Sequence, residues 1–302
     1  MTAKVNPGKD AVLTKGWLAA HKWLVLRRMA QFGFLGAFLV GPITGFWLVK
    51  GNITSSLTLD IVPLSDPYVQ LQSWFAGHAL ETDALIGAAI VLGVYMLIGG
   101  RMYCSWVCPV NIITDAAHWL RHRLGLSGGL RFSRSARYWL LAATFAVSSV
   151  AGVIVWELVN PVSAVYRAIV FGVGAAWMLA LAVFLFDLFV SERGWCSHLC
   201  PVGAFYSLLG RFSVLRVRAA KRDACNNCMD CFAVCPENQV ITPALRGADK
   251  GLGPVIDAMN CTNCGRCIDV CAPDVFQFGT RFDQSVETHD KPEQSSVLRD
   301  AA

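Results

Sequence analysis

Eight cysteines in the last third of the chain form two runs with identical spacing, and this pattern constrains the fold more than any other feature. Within each run the cysteines are three, three and four residues apart, and a proline follows within two positions. The first run is Cys225, Cys228, Cys231 and Cys235, and the second is Cys261, Cys264, Cys267 and Cys271. Three such thiolates can each bind one iron of a four-iron cluster, and the fourth iron takes a ligand from elsewhere. The sequence therefore predicts two [4Fe–4S] clusters.

The cluster ligands follow from a rule for two-cluster ferredoxins, in which the fourth cysteine of each run binds the other cluster. We predict that cluster 1 is held by Cys225, Cys228, Cys231 and Cys271, and cluster 2 by Cys261, Cys264, Cys267 and Cys235. Residues 223–278 are too few to bury a large apolar core, so the clusters must hold this module together. We expect an α+β ferredoxin-like module.

Other metal groups suit these cysteines less well. Zinc takes four ligands for each site, usually from two separated pairs, whereas these runs carry three closely spaced thiols and a fourth beyond them. No Cys-x-x-Cys is followed by histidine, which excludes a c-type haem. None of the six histidines lies in the middle of an apolar stretch, which disfavours a haem held between helices. We expect no haem.

The rest of the chain has the composition of a membrane protein. Hydrophobic residues make up 55% of the sequence and charged residues 16%, against roughly a quarter charged in soluble domains. Four stretches could each cross a hydrocarbon core about 30 Å thick: 29–49, 84–100, 137–158 and 168–190. The sequence predicts an α-helical polytopic domain over residues 29–222 with four transmembrane helices. The basic residues flank these stretches, so binding to nucleic acid is not expected.

The distribution of lysine and arginine predicts the orientation of the four helices. Residues 1–28 contain six basic residues, 51–83 contain none, and 101–137 contain six. Basic flanks stay in the cytoplasm. We expect a bacterial inner-membrane protein with both termini and the ferredoxin module in the cytoplasm and with 51–83 in the periplasm. The first apolar run is too late and too long for a cleaved signal peptide. Residues 1–28 form the N-terminal segment, and a disordered tail is predicted for 279–302.

The other four cysteines form a repeated pattern at two predicted helix ends. The pattern is aromatic-Cys-Ser-x-x-Cys-Pro-Val, and its two copies are 92 residues apart. The pairs are Cys104 with Cys108 and Cys196 with Cys200. The repeat predicts two related helix hairpins and a redox or quinol-site role near the membrane face. Metal binding by these thiols, simple packing and lipidation all stay open.

Two further side chains are candidate proton acceptors. Asp187 lies near the cytoplasmic end of the fourth stretch, where an ionisable residue is costly unless it is used or reaches the interface. His198 lies inside the second cysteine motif and can change its charge near neutral pH. Both residues could also simply face interfacial water.

Together, the four apolar stretches, the two Cys-x3-Cys-Pro motifs and the two cluster runs resemble the membrane-bound ferredoxin-type quinol dehydrogenase subunits of periplasmic nitrate reductase systems, the NapH type. The resemblance implies quinol from the quinone pool as substrate. Electrons would pass through a partner iron–sulfur subunit, a membrane cytochrome c, or both, toward periplasmic nitrate reductase. Such a subunit is expected to need its partners, and membrane lipid, to work.

Two alternatives remain. Methylamine-utilisation ferredoxin-type proteins are similar in size and motifs, and an assembly or maturation factor could use the same clusters to load or reduce a cofactor. Transport is less favoured, because the apolar stretches hold few polar residues that could line a path. With a cytoplasmic module and a periplasmic acceptor, electrons would also have to cross the membrane, and no sequence pattern supplies a route.

Overall fold

The computed structural model describes residues 7–126, 128–130, 132–172 and 174–287. The helices that precede the ferredoxin module are α1 Lys9–Lys15, α2 Trp17–Ala20, α3 Lys22–Thr44, α4 Pro67–Phe75, α5 Thr82–Ile98, α6 Met102–Trp106, α7 Val110–Arg123, α8 Ala136–Ala151, α9 Val155–Val159, α10 Pro161–Phe171, α11 Ala176–Leu185 and α12 Pro201–Leu209. Those within the module are α13 Asp230–Val234, α14 Ile241–Arg246 and α15 Arg266–Asp269. The strands are β1 Val49–Gly51, β2 Ser55–Thr58, β3 Val62–Ser65, β4 Leu215–Arg218 and β5 Gln277–Thr280.

Among the described helices, only α3 is both long and apolar enough to cross a membrane, judged by length and composition. Three more apolar helical segments are shorter, namely Thr82–Ile98, Pro161–Phe171 and Ala176–Val190. The 17 residues of α5 span about 26 Å, slightly less than a hydrocarbon core of about 30 Å.

The third and fourth predicted stretches are not single helices, which corrects the sequence-based boundaries. The stretch 137–158 is interrupted at Gly152, which has a left-handed backbone with φ of 66° and ends α8. The stretch 168–190 is interrupted at Gly172, which has φ of 65° and ends α10. Glycine adopts this conformation without steric cost and commonly ends helices. Hydropathy cannot reveal these ends, because the residues beyond each glycine are again apolar.

The segment 51–83 is folded onto the helices. Strands β1, β2 and β3 form an antiparallel sheet, and α4 follows directly. β3 packs against α5 at Gly87, where an added Cβ would lie 2.9 Å from the backbone nitrogen of Ser65. α4 packs against both α5 and α8. This segment therefore contributes side chains to the interior of the helical domain.

The ferredoxin module is larger than its predicted limits of 223 and 278. Its sheet pairs β4 with β5 in antiparallel register from Leu215 opposite Thr280 to Arg218 opposite Gln277. The chain beyond β5 stays ordered, because Arg218 donates to the Ser285 side chain and forms an ion pair with Glu287. The predicted disordered tail is thus wrong for 279–287, and its remainder, 288–302, lies outside the described residues.

The N-terminal segment packs on the ferredoxin module. The backbone nitrogen of Gly8 donates to Asp230 at 3.0 Å, and Lys15 forms an ion pair with Asp274. Asp269 accepts backbone hydrogen bonds from Trp23 and Leu24 at the start of α3. Residues 7–24 therefore join the first long helix to both cysteine runs, a contact that the sequence did not predict.

Candidate functional site

The structure groups the eight module cysteines around two cavities. Cavity 1 is lined by Cys225, Cys228, Cys231 and Cys271, and cavity 2 by Cys235, Cys261, Cys264 and Cys267. This is the grouping that the crossed rule predicts. It arises because α13 and α15 lie side by side, so that the last cysteine of each run reaches the cavity of the other.

Both runs wrap around their cavities with the same backbone conformation. Asn227 and Asn263 occupy equivalent positions and have positive φ angles of 56° and 47°. Met229 and Gly265, two residues further on, have φ of 68° and 72°. Left-handed residues turn the chain sharply, which lets three successive cysteines face one point. The repeated turns give the module an internal two-fold relation.

The thiol arrangement suits an iron–sulfur cluster better than a single metal ion. Four thiolates about 2.3 Å from one zinc ion would lie about 3.8 Å apart. Among the described residues, no three cysteines bring their sulfur atoms within 4.8 Å of one another. Buried N–H groups of Arg27, Arg216 and Arg266 also have no hydrogen-bond partner in the protein. These groups lie around cavity 2, where cluster sulfur atoms would be available as acceptors.

The charges around Cys264 favour a thiolate. Burial by itself raises the pKa of this thiol, but the neighbouring Arg266 and Arg27 bring the pKa below its ordinary value. Iron binds the thiolate form of cysteine. The arginines therefore favour the metal-binding form of Cys264, whereas burial raises the pKa of the other three cysteines that line cavity 2.

The four cysteines of the repeated pairs are brought together at the ends of two helical hairpins. Cys108 and Cys200 each precede a proline that lies at the start of a helix, α7 or α12. Cys196 lies in a π-helical turn, Trp195–Leu199. Burial raises the pKa of all four thiols, and neighbouring cysteines of the group raise the pKa of Cys108, Cys196 and Cys200 further. Without a metal they are neutral at physiological pH, so they are poor nucleophiles.

A buried ion-pair network joins this cysteine group to cavity 2. Arg101, only 1% exposed, donates to the carboxylate of Glu237 at 2.6 Å and to the carbonyl of Cys196 at 3.1 Å. Arg137 donates to the same carboxylate oxygen at 2.7 Å. Glu237 lines cavity 2 and lies two residues after Cys235. Arg101 thus connects the second cysteine pair to the wall of the cavity.

Both cysteine motifs also donate hydrogen bonds to backbone carbonyls of the cluster loops. Ser105 of the first motif donates to Thr262 at 2.8 Å, and Ser197 of the second donates to Pro236 at 3.2 Å. These are equivalent serines of the repeat, and Thr262 and Pro236 directly follow Cys261 and Cys235, which line cavity 2. The repeated serine therefore has a structural purpose, namely docking of the module through both halves of the repeat.

A buried acid–tyrosine pair beside the four cysteines was missed by the sequence analysis. Asp66 accepts hydrogen bonds from the Tyr206 hydroxyl at 3.1 Å and from the backbone nitrogen of Tyr68 at 3.0 Å. Tyr206 stacks on Tyr103, the neighbour of Cys104, with ring centroids 5.0 Å apart. Burial raises the pKa of Asp66 to about 6. The sequence shows Asp66 only as an acid before a proline, which is typical of a helix start.

Comparison with known proteins places the chain in a family. A model described as a 4Fe-4S dicluster domain matches residues 224–275, and one described as a 4Fe-4S binding domain matches 81–127 and 173–220. The methylamine utilization ferredoxin-type protein MauN of Paracoccus denitrificans is 54% identical over 80% of this chain and 86% of its own length. The ferredoxin-type protein NapH of Escherichia coli is 48% identical over 94% of this chain and 99% of its own length. No solved structure matches the chain.

The chain belongs to the NapH and MauN family of ferredoxin-type proteins. The predicted resemblance to NapH is therefore confirmed, and this family member has an iron–sulfur electron-transfer role. Each of the two 4Fe-4S binding matches contains one Cys-x3-Cys-Pro motif, so both copies of the repeat carry the family pattern.

Of the two proton-acceptor candidates of this family member, Asp187 lies before the second motif and His198 lies inside it. Asp187 is 1% exposed, and its Oδ1 accepts from the backbone nitrogen of Trp195 at 2.9 Å. It therefore holds the turn that carries Cys196. His198 is half-buried near Glu237, and burial lowers the pKa of its imidazole. Asp66, rather than either of these residues, hydrogen-bonds the tyrosines that pack with the cysteines.

One compact set of metal-type side chains lies apart from the cysteines. His118 and His122, one turn apart on α7, face Glu192, with all ligand atoms within 4.8 Å. His118 Nδ1 is 3.1 Å from the carboxylate. The hydrogen bond from His118 holds the pKa of Glu192 at about 2, and burial lowers that of His118 to about 4. At neutral pH the imidazole of His118 is therefore uncharged, and its hydrogen bond to Glu192 accounts for the arrangement.

Proposed function

We propose that this chain is an inner-membrane electron-transfer subunit that oxidises quinol and delivers the electrons through its ferredoxin module to a partner redox protein. The observation that carries the proposal is the buried contact between both cysteine motifs and cavity 2. Arg101 touches Glu237 on the cavity wall and the Cys196 carbonyl on the other side. A rigid contact of this kind gives electrons a short path from the membrane face to cluster 2.

The oxidation of quinol releases two electrons and two protons, and we assign the electrons and the protons to different groups of the protein. The eight module cysteines would hold the two clusters, which would supply one-electron acceptors. One proton of the quinol passes to the Tyr206 hydroxyl as this hydroxyl donates its own proton to Asp66, and the second proton leaves to solvent water. Asp66 is suited to this role because burial brings its pKa to about 6, close to working pH. Three of the membrane-face cysteines, Cys104, Cys108 and Cys200, pack in the same hydrophobic cluster as Tyr206.

The proposal includes the predicted topology of four membrane crossings. The second and fourth crossings would use apolar helices slightly shorter than the bilayer core, which membranes accommodate by local thinning. The contact of Asp66 with Tyr206 supports a topology in which the loop between the first two crossings enters the helical domain.

The topology makes a direct prediction. One extra cysteine is added to a protein that keeps its twelve native cysteines, either as Asp60→Cys or as Asp249→Cys. An impermeant thiol reagent applied from the periplasm should label Asp60→Cys and should not label Asp249→Cys. Both residues are exposed, so the difference reports the side of the membrane. Labelling of Asp249→Cys in intact spheroplasts would contradict the cytoplasmic placement of the module.

The electron-transfer function is tested by purifying the protein anaerobically and measuring iron, sulfide and EPR spectra before and after adding a quinol analogue. We expect about eight irons and a reduced-cluster signal that appears with quinol. About four irons, or bound zinc, would contradict the two-cluster assignment. About eight irons with no response to quinol, even with membranes that supply partners, would instead favour an assembly role.

The terminal partner is the point at which two candidate functions differ. We propose periplasmic nitrate reductase, reached through a partner iron–sulfur subunit and a membrane cytochrome c, by analogy with NapH. The 54% identity to MauN favours methylamine utilisation as a second candidate. Deletion of the gene should abolish quinol-dependent nitrate reduction in the first case and growth on methylamine in the second.

A further inference from the structure

The two cavities lie in very different electrostatic surroundings. Around cavity 2 lie five arginines that are each at least nine-tenths buried: Arg27, Arg101, Arg193, Arg216 and Arg266. Arg27 and Arg266 act on Cys264, Arg101 and Arg216 on Cys261, and Arg193 on Cys235. The buried acids among them are fewer, chiefly Asp115 and Glu237. The surroundings of cavity 2 are therefore positively charged.

Several of these arginines have N–H groups that the protein does not satisfy. Nε and Nη1 of Arg27 are buried without a hydrogen-bond partner, and so is Nε of Arg193, Arg216 and Arg266. A buried donor without an acceptor costs free energy, so such groups usually have a partner. Thiolate and inorganic sulfur atoms of a cluster in cavity 2 are anionic acceptors at this place.

Cavity 1 has the opposite character. Its cation is the exposed Arg246, and Lys15, which acts on Cys271, is already paired with Asp274. The buried Asp230 directly precedes Cys231. Cavity 1 also opens between the exposed residues Asn226 and Asn227. No buried arginine among the described residues lines it.

The two cavities also differ in position. Cavity 2 is covered by the cysteine motifs and by the N-terminal segment, where the ring of Trp23 packs so closely on Gly265 that an added Cβ would lie 2.5 Å from Cγ. Met229 is the equivalent residue of the first run, so this position carries a side chain at cavity 1 and none at cavity 2. Cavity 2 is thus the inner site, next to the membrane domain, and cavity 1 the outer one, open to a soluble partner.

We propose that the buried arginines raise the reduction potential of cluster 2 above that of cluster 1, so that cluster 2 is the first electron acceptor from the membrane domain. Reduction adds one electron and one negative charge to a cluster that is already anionic. Neighbouring cations stabilise that added charge, and they act strongly because they are buried and poorly screened. The inference rests on the proposed function, since it requires both clusters to be present.

The test is an anaerobic redox titration of the whole protein followed by EPR. Two reduction waves are expected, and Cys228→Ser, which alters a ligand of cluster 1, should change the spectrum of the lower-potential wave. Arg27→Gln is the decisive variant, because Nε and Nη1 of this arginine have no hydrogen-bond partner to lose. At the potential at which half of cluster 2 is reduced in the unaltered protein, the ratio of reduced to oxidised cluster 2 should be roughly tenfold lower in the variant.

The matched control is Arg246→Gln, which removes a cation from the wall of cavity 1 and should leave the higher-potential wave in place. Arg193→Gln, on the Cys235 side of cavity 2, serves as a second variant if Arg27→Gln does not fold. Equal potentials, a higher potential for cluster 1, or an unmoved upper wave in both cavity-2 variants would overturn the inference. Those outcomes leave the proposed function intact, whereas an unaltered protein that holds a single cluster would overturn the proposed function itself.

Discussion

Replacing Glu237 by glutamine is expected to destabilise the protein by about 3–5 kcal/mol, because two buried arginines lose their counter-charge. Arg101 and Arg137 both donate to one oxygen of this carboxylate, and neither side chain is more than 2% exposed. A neutral amide keeps at most part of the hydrogen bonding and none of the charge. The measurement is thermal unfolding in detergent, combined with limited proteolysis between the helical domain and the module.

Asp249→Asn is the matched control for the Glu237 variant, because it removes an exposed carboxylate from the same module. It should change stability by less than about 0.5 kcal/mol. Equal unfolding temperatures for the Glu237 and Asp249 variants would show that the network does not hold the module in place.

The stabilisation from Glu237 should also depend on pH. Burial by itself would raise the pKa of Glu237, but Arg101 and Arg137 hold it below its ordinary value of 4.5. A carboxylate with a depressed pKa stabilises the fold in full above its unfolded-state pKa. This stabilisation is lost as the pH falls through its folded-state pKa. The stability difference between the native protein and Glu237→Gln should therefore be constant near neutral pH and shrink well below pH 4.5.

Asp66→Asn is expected to slow reduction of the clusters by quinol by about 10²- to 10⁴-fold, the usual contribution of a general base. The fold should survive, since an asparagine oxygen can accept the same hydrogen bonds from Tyr206 and from the backbone of Tyr68, and asparagine is an equally good first residue before a helix. Stopped-flow bleaching of the cluster absorbance after mixing with a quinol analogue measures the rate.

The pH profile separates a chemical role of Asp66 from a structural one. Burial, with a smaller contribution from Glu157, places the pKa of Asp66 at about 6. Only the ionised carboxylate accepts a proton, so the native rate should rise through about pH 6 and level off above it, and this limb should be absent in Asp66→Asn. Asp60→Asn, which alters an exposed acid of the same segment, should keep the native profile. A native-like limb in Asp66→Asn would exclude Asp66 as the base.

Local spacing was sufficient to predict how the eight module cysteines are divided between the two cavities. Cys235 and Cys271 line opposite cavities, as the crossed rule predicts, because intervals of three and four residues already dictate a tight loop with one cysteine beyond it. Hydropathy was less reliable. It found the apolar stretches but not their ends, because Gly152 and Gly172 stop helices within sequence that stays apolar on both sides.

The sequence by itself determined the family, the iron–sulfur chemistry and the repeated cysteine pairs, since these depend on residue types at short fixed spacings. Only the tertiary structure decided what surrounds them. Asp66 and Tyr206 are 140 residues apart, and Arg101 and Glu237 are 136 apart, so no local pattern links them. The positive charge around cavity 2 also depends on the tertiary structure. Its arginines come from five separate parts of the chain and acquire their effect only when packing removes them from water.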